Sequence, residues 1–338
     1  MSDKILTVIV PSYNMEKYLS RCLESLVVEP CLMERLEVIV VNDGSKDRTS
    51  EVAHQFASTY PQTFKVLDKS NGHYGSCVNA GLRLASGRFV RVLDADDYVN
   101  VETWGAYLVW LDSVNADLVL NDYARVDDKG NVVSCCRLKT PTDIRTNINS
   151  VPDSVDLHSI TYRMTVFEGL GYIQSEGISY TDTEWRIIPM MNVATVQRSN
   201  LVVVNYFVGR PGQSMELNQL AKSYEQMLTT ALAATKKIII ARGGWICEEE
   251  SYVHREVLNQ LQECYQTLSI GVYGHKVRAD ASSFDESIKR LSMSLYKELA
   301  GKARVMGISM VSVVRGGWLV RKLIGGLLAL GVRLKQRQ

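Results

Sequence analysis

The residues best placed to do chemistry are acidic. Asp94, Asp96 and Asp97 put three carboxylates into the four residues Asp94-Ala95-Asp96-Asp97. Packed this closely they repel one another unless a cation compensates. Oxygen donors of this kind suit Mg2+ or Mn2+, held by one or two carboxylates with phosphate oxygens completing the shell. A divalent ion bridging a diphosphate is the bound species such a cluster calls for. Two other polar clusters stand upstream, Pro11-Ser12-Tyr13-Asn14 and Asn42-Asp43-Gly44-Ser45. Each alone reads as a turn, because Pro, Asn and Asp-Gly are turn formers and a run of Asp caps helices.

The elements around these clusters change that reading. Ile5 to Val10 reads as a buried strand. Glu16 to Val28 has apolar residues at helical spacing, and Leu36 to Val41 is a second β-rich run. A helix over about 47–59, a strand at Phe64 to Leu67, a helix ending near Ala85 and a strand at Phe89 to Leu93 continue the alternation. This is the βαβ pattern of an α/β fold: an open, twisted, mainly parallel sheet flanked by helices. Ligands on such sheets bind beyond the carboxyl ends of the strands. All three polar clusters fall there, on one edge, which makes three unrelated turns a poor explanation.

Beyond Trp104 a helix near 101–114 and a strand at Leu118 to Leu120 lead into a polar, irregular stretch from Asp127 to Asp156. From about Leu217 the pattern is helical, near 217–241, 249–269 and 284–305. In Thr181-Asp182-Thr183-Glu184-Trp185 the Thr and Glu have capping-box spacing, which puts Asp182 in the first turn of a helix, where a negative charge favours the macrodipole.

With 338 residues, 46% of them hydrophobic, the chain can bury a core without disulfide or metal staples. Seven scattered cysteines without a Cys-x-x-Cys pair point to reduced thiols in the cytoplasm, against a structural zinc. The short apolar N-terminal run is strand-like, not a signal peptide. The net charge of +1 divides unevenly. Residues 1–298 carry 30 basic and 37 acidic residues, a charge of −7, and the last forty carry eight basic residues and no acid. Such a body excludes nucleic acid as a partner over the whole surface. In 311–338, Val320, Leu323, Ile324, Leu327, Leu330 and Leu334 share one helical face, with Arg315, Lys322, Arg333 and Arg337 gathered opposite. The ten uncharged residues from Leu323 to Val332 fall short of the ~20 that span a bilayer. The expectation is a helix lying on an anionic membrane surface, Trp318 at the interface, on the cytoplasmic face.

The segments TVIVPSYNMEKYLSRCLESL (7–26), EVIVVNDGSKDRT (37–49) and NGHYGSCVNAGLRLASGRFVRVLDADDYV (71–99) resemble the family 2 glycosyltransferases. So, more loosely, do ISYTDTEWRIIP (178–189) and VGRPGQSM (208–215). These are inverting enzymes of GT-A fold that use nucleotide-diphosphate sugars. The resemblance implies that Tyr13 lies against the nucleobase, with Pro11, Ser12 and Asn14 around it, and that Asp43 accepts the imide N–H of a uracil, favouring UDP. It implies that Asp94 reaches the ribose, that Ala95 lies in the donor site, and that Asp96 coordinates Mn2+ or Mg2+ on the diphosphate. Asn71 joins the donor pocket in a loop where Gly72 and Gly75 allow close backbone approach.

In the same family an Asp deprotonates the acceptor hydroxyl; the matching residue is Asp182, with Thr181 where Glu is often found. Trp185 is a candidate platform for an acceptor sugar or a core residue, and His73 and His158 are set aside as bases. The Gln-x-x-Arg-Trp signature of processive polymerases is absent from the sequence, which favours single addition. The implied organisation is a GT-A domain over 1–215 (donor half 1–100, acceptor half 101–215), a helical extension over 216–310 and the basic tail. The implied partners are a nucleotide-diphosphate sugar and a lipid-linked saccharide acceptor, with a homo-oligomer left open. The rivals are an inactive membrane-bound partner subunit and a sugar nucleotidyltransferase; the latter needs a glycine-rich basic loop where Pro11-Ser12-Tyr13-Asn14 stands.

Overall fold

In the computed structural model the first unit of the chain is built on one ten-stranded sheet. The described residues are 4–209, 217–248, 251–269 and 274–302, with 304, 305, 308, 309, 311 and 314 beyond them. The chain divides into two units, Met1–Gln213 and Ser214–Gln338.

The β-rich runs form β1 (Leu6–Ser12), β2 (Leu36–Asn42), β3 (Phe64–Asp68) and β4 (Phe89–Val92), and the amphipathic stretches between them form α1 (Leu19–Ser25), α2 (Pro30–Met33), α3 (Thr49–Thr59) and α4 (His73–Leu84). The four strands pair in parallel in the order β3-β2-β1-β4. Every residue of β1 and β2 is buried, as expected of parallel strands covered on both faces. Register brings the strand ends level, with Ser12 beside Asn42 and Asn42 beside Asp68. Pairing of β1 with β4 stops at Ile9 and Val92, so the missing N–H of Pro11 falls where β4 has already ended.

The sheet does not stop at Asp97. β5 (Tyr98–Val99) and α5 (Val101–Ser113) are followed by β6 (Leu118–Val126), β7 (Val132–Cys136), β8 (Thr146–Asn147), β9 (Ile160–Arg163), helix α6 (Asp182–Ile187) and β10 (Thr195–Phe207). β9 inserts between β4 and β6 and runs antiparallel to both, and β10 runs parallel to β6. The irregular stretch expected after Asp127 therefore holds two further strands, β7 on β6 and β8 on β10. β10 gave no strand signal because Arg198-Ser199-Asn200 interrupts its apolar run, and its register slips at that point. Arg198 is tied there to the buried Asp122 by bonds of 2.7 and 2.8 Å.

The core packs α1, α2 and α5 on the sheet through residues such as Leu23, Met33, Trp104, Tyr107 and Leu108. Each such side chain contributes ~1.5–3 kcal/mol by leaving water. Asn100 caps α5, its side chain accepting the Glu102 N–H at 3.0 Å.

The second unit is helical: α7 (Leu217–Arg242), α8 (Tyr252–Ser269), α9 (Gly274–Leu291) and α10 (Met293–Lys302), with two short paired strands, β11 (Arg304–Val305) and β12 (Ile308–Ser309). The single helix expected near 284–305 is two helices. Ser292 breaks it by capping α10, its Oγ accepting the Leu295 N–H at 3.3 Å. The basic tail and residues 210–215 lie outside the described residues, Val311 and Val314 excepted. Among the described residues no helix is long and apolar enough to cross a membrane. None of the seven cysteines is in a disulfide.

Candidate active site

The first three strand ends are laced together by their own loops. Asn14 takes the left-handed conformation at φ 54°, its side chain accepts the Lys46 N–H at 2.8 Å, and its own N–H donates to Ser45 Oγ at 3.0 Å. Tyr13, 45% exposed, is left at the mouth, as a residue that stacks on a base must be. Asp43 is buried. Its Oδ1 accepts Lys69 Nζ at 2.5 Å and the Gly72 N–H at 2.9 Å, while its backbone oxygen accepts Asn71 Nδ2 at 3.0 Å. Lys69 also reaches Ser76 Oγ at 2.8 Å, so one ammonium ties the ends of β2 and β3 to α4.

The carboxylates after β4 divide the work. Asp97 points inward, accepting the Phe207 N–H of β10 at 2.9 Å and ion-pairing with His158 Nδ1 at 3.2 Å. Asp94 accepts the Tyr74 hydroxyl at 2.9 Å. Asp96 is held through its backbone, whose oxygen accepts Arg21 at 3.1 Å. Burial, and after it the charges of Asp97 and Asp96, push the Asp94 carboxyl up to about 7. Asp97 is raised too, by burial first and Asp96 beside it.

His158 answers this excess of negative charge. Burial disfavours its cation, yet Asp97 and Asp94 outweigh that and raise it. Its ring stacks on Tyr206 with centroids 4.2 Å apart, and its backbone oxygen accepts the buried Arg91 at 2.9 Å. A cluster whose carboxyls hold their protons this high lacks positive charge. Asp96 offers a carboxylate of the kind that Mg2+ or Mn2+ takes from protein when phosphates complete the shell.

Asp182 opens α6, and a clip of long-range bonds brings α6 to this edge. In the segment 172–177, Gln174 exchanges bonds with Asn79 of α4, N–H to Oδ1 at 2.8 Å and Nδ2 to O at 2.9 Å. Gln174 Nε2 donates to the Thr181 oxygen at 2.6 Å. The segment crosses α4 at Gly75, where a Cβ would lie 2.0 Å from the Ser175 oxygen; only glycine permits the crossing.

The capping box read from the sequence does not form. Thr181 makes no side-chain cap bond, because its backbone is already helical (ψ −4°), and Glu184 instead accepts the Ser175 N–H at 2.6 Å and its hydroxyl at 2.8 Å. The expected negative charge in the first turn remains. Asp182 is partly buried, and burial raises its carboxyl against the opposing pull of Arg186. Tyr74, whose hydroxyl donates to Asp94, is raised by burial and then by the charges of both Asp94 and Asp182. Trp185 is not an acceptor platform. It is 0% exposed, its ring packed against Tyr162 and Phe167 at 5.3 and 5.4 Å between centroids.

The structure thus brings Tyr13, Asn14, Asp43, Asn71, Asp94 and Asp96 to one edge, with Pro11, Ser12 and Ala95 as buried backbone beneath. Sequence reading missed Lys69, Tyr74 and the place of His158 at the site. Lys69 follows β3 directly, so the rule of reading strand ends would have found it. Tyr74 and His158 carry no such local signal.

Residues 7–155 match glycosyl transferase family 2. The minor teichoic acid biosynthesis protein GgaB of Bacillus subtilis is 36% identical over 106 residues, 31% of this chain and 12% of that protein. The poly(ribitol-phosphate) beta-N-acetylglucosaminyltransferase TarS of Staphylococcus aureus is 33% identical over 124 residues, 37% of this chain and 22% of that protein. The chain thus spans only a small part of these curated relatives. A crystal structure of S. aureus TarS 1-349 superposes with a TM-score of 0.67 at 21% identity, covering 92% of this chain and 90% of that one. By motif and matched segment, residues 7–155 are a glycosyl transferase family 2 segment, and the fold is of GT-A type.

Proposed function

We propose that the chain is a metal-dependent inverting glycosyltransferase that moves a sugar from a UDP-sugar to a hydroxyl of a surface-polysaccharide acceptor, with Asp182 as the general base. The observation that supports this reading is the clip from α4 through Gln174 to Thr181 at the start of α6, together with Tyr74, which bonds Asp94 and feels the charges of both Asp94 and Asp182. The donor class is supported by the TarS structures solved with UDP-GlcNAc and with UDP. The acceptor class is supported by the names of GgaB and TarS, one a teichoic acid biosynthesis protein and the other acting on poly(ribitol-phosphate).

In this reading Tyr13 stacks on the base, Asp43 accepts from the uracil, and Asp94 accepts from the ribose. Asp96 holds a divalent ion, which when bound offsets the negative charge of the leaving diphosphate. Asp182 accepts the proton of the acceptor hydroxyl as that oxygen attacks the anomeric carbon from the face opposite the nucleotide. Burial raises its carboxyl, which makes it a stronger base than an exposed Asp. An acceptor carried on a lipid fits the basic tail, which would rest on anionic headgroups at the cytoplasmic face.

Thermal stabilisation across nucleotide diphosphates and their sugars, with and without Mn2+, tests the donor. UDP and one UDP-sugar should stabilise, and only with the metal; equal stabilisation by every nucleotide diphosphate would overturn the UDP assignment. Deleting residues 311–338 should release the protein from anionic vesicles and leave donor hydrolysis intact.

A further inference from the structure

In the helical unit, far along the chain from the acidic edge, three side chains of different chemistry converge. α7 ends in a tight turn. Gly243, at φ 70°, and Gly244 donate their N–H groups to the Ile240 and Ile239 oxygens, and the left-handed backbone is one that glycine adopts without strain. The chain emerging from this turn carries Trp245 and Cys247. His254 lies in the first turn of α8, and Glu298 lies on α10. His254 is 1% exposed and the Glu298 side chain 10%. His254 Nε2 sits astride the carboxylate, 3.0 Å from Oε1 and 3.1 Å from Oε2. The Sγ of Cys247, a ring nitrogen of His254 and a carboxylate oxygen of Glu298 all lie within 4.8 Å of one another.

We infer that Cys247, His254 and Glu298 form a zinc site that ties the α7–α8 connection to α10. Sulfur, nitrogen and oxygen donors together suit Zn2+, which accepts all three and takes four ligands; the hard ions suited to Asp96 disfavour thiolate. Tetrahedral bonds of ~2.0–2.3 Å separate neighbouring ligand atoms by roughly 3.3–3.6 Å. The His254–Glu298 pair already stands near that spacing. Cys247, exposed on a connecting segment, needs only about an ångström of side-chain movement to complete the triangle. The outer groups are built as metal sites need them: Trp245 Nε1 donates to Glu298 Oε2 at 3.1 Å, fixing the carboxylate, and the Trp245 ring covers His254 with centroids 5.0 Å apart. With three protein ligands, the fourth position is open to water.

The test uses the full chain, stripped with a chelator and titrated with Zn2+ against a chromophoric competitor, then with Co2+ for its spectrum. One tight equivalent of Zn2+ should bind, and Asp96→Ala should keep it, which separates this site from the acidic edge. Cys247→Ser, at an exposed position, should weaken Zn2+ by more than ~10-fold, the lower end of what losing even an outer partner of a zinc ligand costs. It should also abolish the thiolate-to-cobalt charge-transfer band. His254→Gln should weaken Zn2+ in the same way. Zinc uptake by the parent chain no tighter than by Cys247→Ser, or a charge-transfer band that survives in that variant, overturns the site and leaves the His254–Glu298 contact as a plain ion pair.

Discussion

The proposed donor edge and the side of the first unit that bears the candidate base are built on opposite principles. At the proposed donor edge each candidate residue follows a parallel strand within a few positions: Tyr13 after β1, Asp43 after β2, Lys69 after β3, Asp94 and Asp96 after β4. The sheet register makes them neighbours. On the other side Asp182 owes its place to bonds between residues 95 apart in sequence, Asn79 with Gln174, and to a crossing that glycine alone allows at Gly75. One region is fixed by strand register and by bonds among the loops that follow the strands; the other is fixed by a handful of contacts between segments distant in sequence.

Damage to the two regions should therefore read out differently. The largest effect in binding belongs to the donor edge. Asp96→Ala should abolish metal-dependent stabilisation by UDP or a UDP-sugar in a thermal-shift assay while leaving the unliganded melting temperature nearly unchanged. Retention of metal-dependent binding would remove Asp96 as the metal ligand. Next comes the clip. Gly75→Ala forces a methyl against the Ser175 oxygen and should cost ~1–3 kcal/mol of stability, as overpacking does. Because it shifts the segment that carries α6, turnover should fall more than donor affinity. An equal fall in both would mean that the crossing does not position the base.

A third variant weighs charge rather than geometry. The folded protein keeps a proton on Asp94 that the unfolded chain has already released. This raised group therefore makes metal-free stability fall as pH rises from about 4, the unfolded value, to about 7. Asp94→Asn lacks that penalty. Its melting temperature relative to the parent should rise between pH 5 and pH 8 without metal, and saturating Mn2+ should shrink the difference. A difference independent of pH would show that the acidic edge carries no excess charge.

The same contrast explains what the sequence made legible. Parallel strands buried on both faces leave continuous apolar runs, so β1 to β4 and the residues after them could be read directly. β9 is short and β10 is interrupted by Arg198-Ser199-Asn200, so the antiparallel insertion had no local signature. The capping-box pattern at Thr181 and Glu184 misled because the Glu184 carboxylate is used across the chain, on Ser175, rather than within its helix. Trp185 could not be placed until Tyr162 and Phe167 were seen around it. Scattered cysteines argued against zinc. Yet Cys247 gathers its partners His254 and Glu298 from two other elements, which no spacing rule over neighbouring residues detects.

The central claim is that Asp182 is the base, held against an independently formed donor edge. The direct measurement is donor affinity and turnover of Asp182→Asn, taken side by side with Mn2+ present. Binding of the UDP-sugar should stay within about twofold of the parent, while transfer falls by roughly 10²–10⁴, the usual contribution of a positioned base. A variant that binds donor normally and keeps most of the transfer rate would contradict the account.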